Sequence, residues 1–307
     1  MYKRILVPLD TSKLAEIALP YAEELASKLG SEVILIHVKT RADVPDNVDH
    51  RVYISKMAAT TEQNVKKSPA LPSGEKVKVA SAVVGSVGLL THPAEEILGY
   101  AEKENISLIV MATHGRTGIR RWTLGDTANK VARASKCPVL LIRANTDVPE
   151  SVHLDRILVP LDGSKLSEAV VPYIENLASK LKTKISLINV VEPPYHYYPG
   201  YGGMGYESIV RAPYTEEEIK PLKEVAEKYV KSVSEKLMAE GIKTSYEVKV
   251  GSAGEEIIKV EEEIHPDMVA MSTHGHSGFG RWEHGSVADK VLHHGNIPLL
   301  LVRPKQP

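Results

Sequence analysis

The chain can be read from the stretch Ile109-Val110-Met111-Ala112-Thr113-His114-Gly115-Arg116-Thr117-Gly118, followed by Leu124-Gly125-Asp126, because that stretch occurs twice. The second copy is Val269-Ala270-Met271-Ser272-Thr273-His274-Gly275-His276-Ser277-Gly278, followed by His284-Gly285-Ser286. In both copies a short apolar run breaks into a Thr-His-Gly turn, and nine residues separate the turn glycine from a second glycine that opens a helix-like segment. The run suits a buried strand. The glycines would let backbone N–H groups approach a ligand closely. A glycine opening a helix presents unpaired N–H groups and the positive end of the helix dipole, which suits a phosphate.

Further landmarks recur in order. Ile5-Leu6-Val7-Pro8-Leu9-Asp10 returns as Ile157-Leu158-Val159-Pro160-Leu161-Asp162, and Cys137-Pro138 as Ile297-Pro298. The 307 residues are therefore expected to be two copies of one domain, 1–147 and 148–307, rather than a solenoid. The linker falls within 144–155. Apolar (43%) and charged (25%) fractions are those of a globular chain. No apolar run reaches the roughly 20 residues of a membrane span, and the N-terminal apolar run is too short for a signal peptide. Cys137 is alone, so no intrachain disulfide is expected. A net charge of −1 gives no pull towards nucleic acid. The expected location is cytoplasmic.

Each half alternates strands with helices. Arg4–Leu9, Val33–Val38, Val77–Val84, Leu108–Thr113 and Val139–Arg143 read as strands, as do Arg156–Leu161, Ile185–Val190, Thr244–Val250, Met268–Thr273 and Leu299–Arg303. Most are continuously apolar, the pattern of a parallel sheet covered on both faces. Ser12–Leu29 reads as a helix stopped by Gly30 and kinked at Pro20, with Pro172 doing the same in the other copy. Helices are also expected at Ala94–Lys103 and Asp126–Ser135, and with poorer periodicity at Arg51–Lys67. In the second half Leu222, Val225, Ala226, Tyr229, Val233 and Leu237 share a helix face, behind a Thr215/Glu218 capping box. The Tyr/Gly-rich Tyr195–Tyr206 has no periodicity and reads as a loop: a lid, an interaction surface or an insert. The fold class is α/β, two doubly wound, open, five-stranded parallel sheets. Ligands in such folds sit at the strands' carboxyl ends, where the Asp10 and Thr113-His114-Gly115 turns converge.

These landmarks resemble the universal stress protein family. Its nucleotide-binding members carry a small residue or glycine, two residues, a glycine, nine residues, then Gly-Ser or Gly-Thr. The matching positions are Ala112, Gly115, Gly125 and Asp126 in the first copy, and Ser272, Gly275, Gly285 and Ser286 in the second. The Pro-x-Asp strand end is matched by Pro8/Asp10 and Pro160/Asp162. The resemblance implies strand order 3-2-1-4-5, pairing of domains through the last strands, and ATP or AMP in some members, with Mg2+ or Mn2+ as a conceivable companion. Asp10 and Asp162 would then accept from the ribose, and the backbone at Val38 and Val190 would meet the adenine edge. Gly115 and Gly275 would wrap phosphates, with His274 in the same turn. Gly125 and Gly285 would open the phosphate-facing helix, with Ser286 and Val287 in its first turn.

Asp126 departs from the family's serine. A carboxylate cannot donate to phosphate and repels it, by about 4 kcal/mol at ~4 Å and an effective dielectric near 20. The second half is therefore expected to bind ATP more tightly.

Other readings stay open beside these. Asp10 and Asp162 are either ribose ligands or helix-capping residues before Ser12 and Ser164. Arg116, Arg120 and Arg121 either meet phosphates or lie on a solvated face. His274, His276 and His284 read as turn residues rather than a metal site, and Cys137 as a core residue. No Walker motif occurs, and no nucleophile–base pair is visible, so no catalytic residue is assigned. The expected role is a stress-response or regulatory module read by a signalling partner or by domain pairing, with a homodimer also conceivable. The alternatives are slow ATP hydrolysis or phosphate transfer, and a nucleotide-free scaffold.

Overall fold

The apolar strands assemble edge to edge into one sheet. A computed structural model describes residues 1–40, 49–68, 76–85, 92–114, 124–143, 151–193, 195–201, 207–274 and 285–304, with the backbone alone for 195–201 and 207–213. Gly115, Arg116, Arg120, Arg121, Gly275, His276 and His284 lie outside them, as does the linker before 151.

In the first half β1 (Arg4–Pro8), β2 (Glu32–Val38), β3 (Val79–Val84), β4 (Leu108–Ala112) and β5 (Val139–Ile142) stand in the order β3-β2-β1-β4-β5, all parallel. In the second, β6 (Arg156–Pro160), β7 (Lys184–Val191), β10 (Thr244–Val250), β11 (Met268–Ser272) and β12 (Leu299–Val302) stand in the order β10-β7-β6-β11-β12. This is the expected 3-2-1-4-5 order, twice. β5 and β12 then pair antiparallel, Leu140 opposite Leu300, and join the halves into one ten-stranded sheet. Edge pairing removes two apolar strand edges at once.

Consecutive strand residues serve opposite faces. Ile5 and Val7 point into one buried cluster with Leu25, Ile54, Ile174 and Leu237, and Leu6 points into the other with Ile97, Val131, Ile257 and Val291. Each cluster runs through both halves. The helices of the first cluster are α2 (Leu19–Leu29), α3 (His50–Lys67), α6 (Val171–Leu181) and α7 (Glu216–Ala239). Those of the second are α4 (Pro93–Lys103), α5 (Asp126–Ala134), α8 (Ala253–Ile264) and α9 (Ser286–His294).

Four expectations need correction. Pro20 does not kink a long helix; the chain breaks before it, into α1 (Lys13–Glu16) and α2, with Pro20 in the first turn of α2. Pro172 likewise opens α6 after a short 3-10 turn at Ser167–Val170. A proline lacks the N–H that the first turn leaves unused, so it starts a helix more readily than it interrupts one. On α7 the buried positions are Ala226, Val230, Val233, Ser234 and Leu237. Val225 is 67% exposed, because at about 100° per residue it lies round the helix from the face that Ala226, Val230, Val233 and Leu237 share. The Tyr-rich segment is not a structureless loop: β8 (Tyr195–Tyr201) and β9 (Glu207–Pro213) form an antiparallel hairpin, Tyr198 opposite Val210. Cys137 is half-buried against the second cluster, and burial raises its thiol pKa.

The weakly periodic Arg51–Lys67 does form a helix, α3. The Asp49 carboxylate caps it, accepting the Arg51 and Val52 N–H groups (3.0 and 3.3 Å). It buries only His50, Ile54, Thr61 and Val65, a stripe too narrow to show as a clear period. Gly30 stops α2 in the left-handed conformation (φ 68°), its N–H on the Ala26 carbonyl.

Candidate functional site

At the C-terminal ends of the strands each half has a cavity, about 330 Å³ in the first and 450 Å³ in the second. Both lie in the size range of small-molecule sites. They are built from equivalent parts.

The first part is the turn after the first strand. Leu9 N–H and Leu161 N–H bond the Ile36 and Ile188 carbonyls (2.8 and 2.9 Å), so the turn continues the sheet. Asp10 Oδ1 accepts Ser12 N–H (3.0 Å) and Ser12 Oγ–H (2.6 Å), and Asp162 Oδ1 accepts Ser164 N–H (2.9 Å). Ser12 and Ser164 in turn accept Ala15 N–H and Ser167 N–H. In the first half the capping role therefore falls to Ser12, in the second Ser164 closes the turn that leads into the 3-10 segment, and the aspartates orient both serines from the cavity side. Thr11 takes φ 71° where the second half has Gly163 at 85°. A β-branched residue there is an outlier.

One pair of positioning residues escapes a reading of the sequence. His37 Nδ1–H donates to the Leu9 carbonyl (2.9 Å), and Asn189 Nδ2–H to the Leu161 carbonyl (2.7 Å). The two side chains differ, yet each pins the Asp-bearing turn from the neighbouring strand. His37 is buried and stacks on His50, ring centroids 4.3 Å apart and planes within 6°.

The second part is the Thr-His turn. Thr113 N–H and Thr273 N–H bond the Ile142 and Val302 carbonyls (2.8 and 2.9 Å), and the His114 and His274 Nδ1 atoms lie 3.2 and 2.9 Å from the threonine hydroxyls. Ala112 and Ser272 are the last residues of β4 and β11 and are absent from the positive-φ positions, so neither needs glycine's freedom.

The third part is the helix opened by the second glycine. The glycines' own N–H groups are used within the protein. Gly125 N–H and Gly285 N–H are bonded to the Thr113 and Thr273 carbonyls (2.9 and 2.7 Å). Gly125 has φ −58°, open to any residue, but a Cβ there would lie 2.9 Å from the Thr113 oxygen. Glycine is needed for that close join. The first intrahelical bonds are Asn129 N–H to Gly125 and Asp289 N–H to Gly285. The N–H groups of the first three residues, 126–128 and 286–288, are thus left for a ligand, and all six residues line the cavities.

Of the candidate residues, Pro160, Asp162, Val190, Ser272, His274, Gly285, Ser286 and Val287 line the second cavity, and Asp10, Val38, Ala112, Gly125 and Asp126 the first. The Asp126 carboxylate is 82% exposed and pairs with Lys130 (3.1 Å), which offsets much of the repulsion argued from sequence. The equivalent Lys290 is engaged by Glu255 instead (2.7 Å). Residues that the sequence reading missed include Met111 and Met271, and those at the next helix start: Pro93 and Ile97 in one half, Ala253 and Ile257 in the other. Their signal is topological, a helix start facing the strand-two end. Among the described residues no group of three His, Cys, Asp or Glu is placed to hold a metal.

Two copies of a 3-2-1-4-5 sheet, each with a Pro-x-Asp turn and a glycine-opened helix around one cavity, define a tandem α/β protein. The sequence pattern of the Universal stress protein family matches residues 1–143 and 153–303, and the chain belongs to that family. It is 31% identical over 148 residues to universal stress protein YxiE of Bacillus subtilis (strain 168), covering 47% of this chain and all of that one. It is 23% identical over 319 residues to universal stress protein Slr1230 of Synechocystis, covering 98% and 100%. The crystal structure of a universal stress protein from Archaeoglobus fulgidus DSM 4304 shares the fold over 100% of this chain and 98% of that one, with TM-score 0.63 and 20% identity. No helix among the described residues is long and apolar enough to cross a membrane.

Proposed function

We propose that the chain is an adenine-nucleotide-binding stress-response or regulatory module, with the second cavity the tighter ATP site. The observation that carries this reading is the convergence, in one cavity, of Asp162, the Val190 strand end and the three ligand-facing N–H groups that open α9. The helix start suits phosphate and the aspartate suits ribose hydroxyls. Ser286 adds a hydroxyl where the first half has the carboxylate of Asp126, so the second cavity is favoured for a triphosphate. Mg2+ or Mn2+ would arrive with the nucleotide and help most in the first cavity.

The output is occupancy-dependent ordering of the glycine turns, read in the cytoplasm by a partner or a second copy of the chain, and not rapid turnover. Nucleotide released by denaturing the purified protein and resolved by HPLC tests occupancy, and calorimetric titration tests affinity. Absence of nucleotide together with no heat on adding ATP up to millimolar concentration would overturn the reading. Phosphate release above that of an Asp162→Ala variant would overturn the non-enzymatic part.

The units are proposed as 1–147 and 148–307. Residues 1–147 alone would expose β5 and form a homodimer or aggregate, whereas a clean monomer by ultracentrifugation would contradict the pairing.

A further inference from the structure

The two cavities differ at the end away from the glycine-opened helix. Ile188, Val190 and Glu192 alternate along β7 and its exit, and all three line the second cavity. The residue in Glu192's place in the first half is Thr40 (192 − 152 = 40), which lines the first cavity.

Glu192 is exposed, yet it is held. One carboxylate oxygen accepts the N–H of Ala253, the first residue of α8. The corresponding first-half residue is Pro93, which has no N–H to offer, and there the neutral threonine stands. An oxygen fixed in this way keeps the second carboxylate oxygen for another donor. The carboxylate only accepts hydrogen bonds.

Its position across the sheet gives it a meaning. β7, β6 and β11 are consecutive neighbours, carrying Glu192, Asp162 and the Thr273 turn that receives α9. Adjacent strands stand about 4.8 Å apart, so Glu192 lies roughly 10 Å across the sheet from the phosphate-facing helix. A carboxylate at one end and a helix N-terminus at the other fix the direction of an anionic ligand. With phosphates on α9 and ribose at Asp162, the base falls at Glu192.

Resting on the nucleotide reading above, we propose that Glu192 selects the base in the second cavity. It accepts the exocyclic amino N–H of a 6-aminopurine and repels the carbonyl oxygen of a 6-oxopurine. Thr40 carries no charge in the corresponding place, so the first cavity lacks this discrimination.

The test is calorimetric titration of the full chain and of Glu192→Gln with ATP and with ITP, which carries oxygen in place of the 6-amino group. Glutamine keeps an oxygen for the Ala253 N–H, so α8 stays capped. It also adds an N–H that can face the 6-oxo group. The substitution lies in the second cavity alone, so the change it causes reports that cavity.

The expected result is one class of sites preferring ATP over ITP by about tenfold or more. In Glu192→Gln that preference falls to about threefold or less, chiefly because ITP tightens. A variant that binds ATP with the preference unchanged overturns the role of Glu192 and leaves the nucleotide reading standing. A wild-type chain that binds neither nucleotide overturns both.

Discussion

Replacing Arg143 should be among the most damaging single changes in the chain. Arg143 follows β5 in the first half, is 8% exposed, and reaches the end of α9 in the second. It donates to the Val291 carbonyl (2.9 Å), the Ile297 carbonyl (3.2 Å) and the Leu292 carbonyl. Beside it lies Glu261, 3% exposed, with one oxygen on the Asn296 and Ile297 N–H groups (2.6 and 3.1 Å) and the other, Oε2, without a hydrogen-bond partner. Burial lowers the guanidinium pKa to about 10 and raises that of the Glu261 carboxyl, and the charge of each opposes the other's shift.

Arg143→Met fills much of the space but leaves three carbonyls and a buried carboxylate without a cation. Leaving the buried Glu261 carboxylate without its neighbouring cation costs on the order of 3 kcal/mol. Arg143→Lys keeps the charge and loses the fork, so about 1–2 kcal/mol is expected, one charge-assisted bond or so. Gly295→Ala strikes the same cluster, because a Cβ would stand 2.8 Å from the Val291 oxygen and 3.0 Å from Glu261 Oε2.

Urea unfolding at pH 7 measures each loss. The Met variant also carries a pH signature. With Arg143 gone the folded pKa of Glu261 rises further above its unfolded value. The defect should therefore be smallest below the unfolded pKa, roughly 4.3, and grow as pH rises through the folded pKa. A loss under about 1 kcal/mol at pH 7, or one that does not vary with pH, would refute the reasoning.

Gly125→Ala drives a methyl group against the Thr113 carbonyl and should lower ATP affinity in the first cavity about tenfold while leaving the second unchanged; calorimetry with equal affinities before and after would contradict it. Thr11→Gly removes about 1–2 kcal/mol of left-handed strain against about 0.5–1 kcal/mol of added chain entropy, a net gain of up to about 1.5 kcal/mol by urea melts, and a loss would show that Thr11's contacts outweigh its backbone. Tyr229 donates to Glu168 (3.0 Å), and burial first, then Glu168, raises its pKa. Its contribution is complete below the unfolded pKa near 10 and falls as pH rises above it, so Tyr229→Phe should cost about 1 kcal/mol at pH 8 and less at pH 11; a cost independent of pH would contradict this.

What the sequence discloses follows from how local the determinants are. The strands are legible because burial on both faces makes them continuously apolar, as in Ile5-Leu6-Val7. The 3-2-1-4-5 order comes from the family resemblance, and the structure bears it out. The turn at Asp10 and the helix start at Gly125 are legible because proline and glycine mark them. Less local determinants escape. The apolar residues of α7 spread wider than its buried face, so their pattern alone does not say that the sheet takes Ala226 and Val230 and leaves Val225, about 100° round from Ala226, in solvent. The hairpin at Tyr195 carries no helical or strand period that its composition would betray. Glu192 reads as an ordinary acidic residue after a strand, and its place opposite Ala253 emerges only when α8 is seen to start there. His37 and Asn189 share a task, but no sequence pattern joins an imidazole with an amide.

The antiparallel pairing of β5 with β12 turns the carboxyl ends of the two half-sheets in opposite directions, so the two cavities open on opposite edges of one sheet. Ligands in them cannot touch. The halves nevertheless complete one another through the helices that form the cavities. Thr113, at the first cavity, bonds Ile142, and the next residue, Arg143, closes the far end of α9, whose near end opens the second cavity. In return Thr273 bonds Val302, and Arg303 donates to the Arg133 carbonyl at the far end of α5 (3.3 Å), while Arg133 pairs with Asp289 across the helices (3.4 Å). The exchange is unequal: among the described residues Arg143 alone donates three hydrogen bonds to the second half, two of them buried, and Arg303 returns one longer bond. Separated, residues 148–307 should therefore lose more stability than residues 1–147, by about 1 kcal/mol for each additional charge-assisted bond broken. Thermal unfolding of the two fragments at equal concentration would show it, and a more stable second fragment would mean that strand pairing, rather than these arginines, dominates the join.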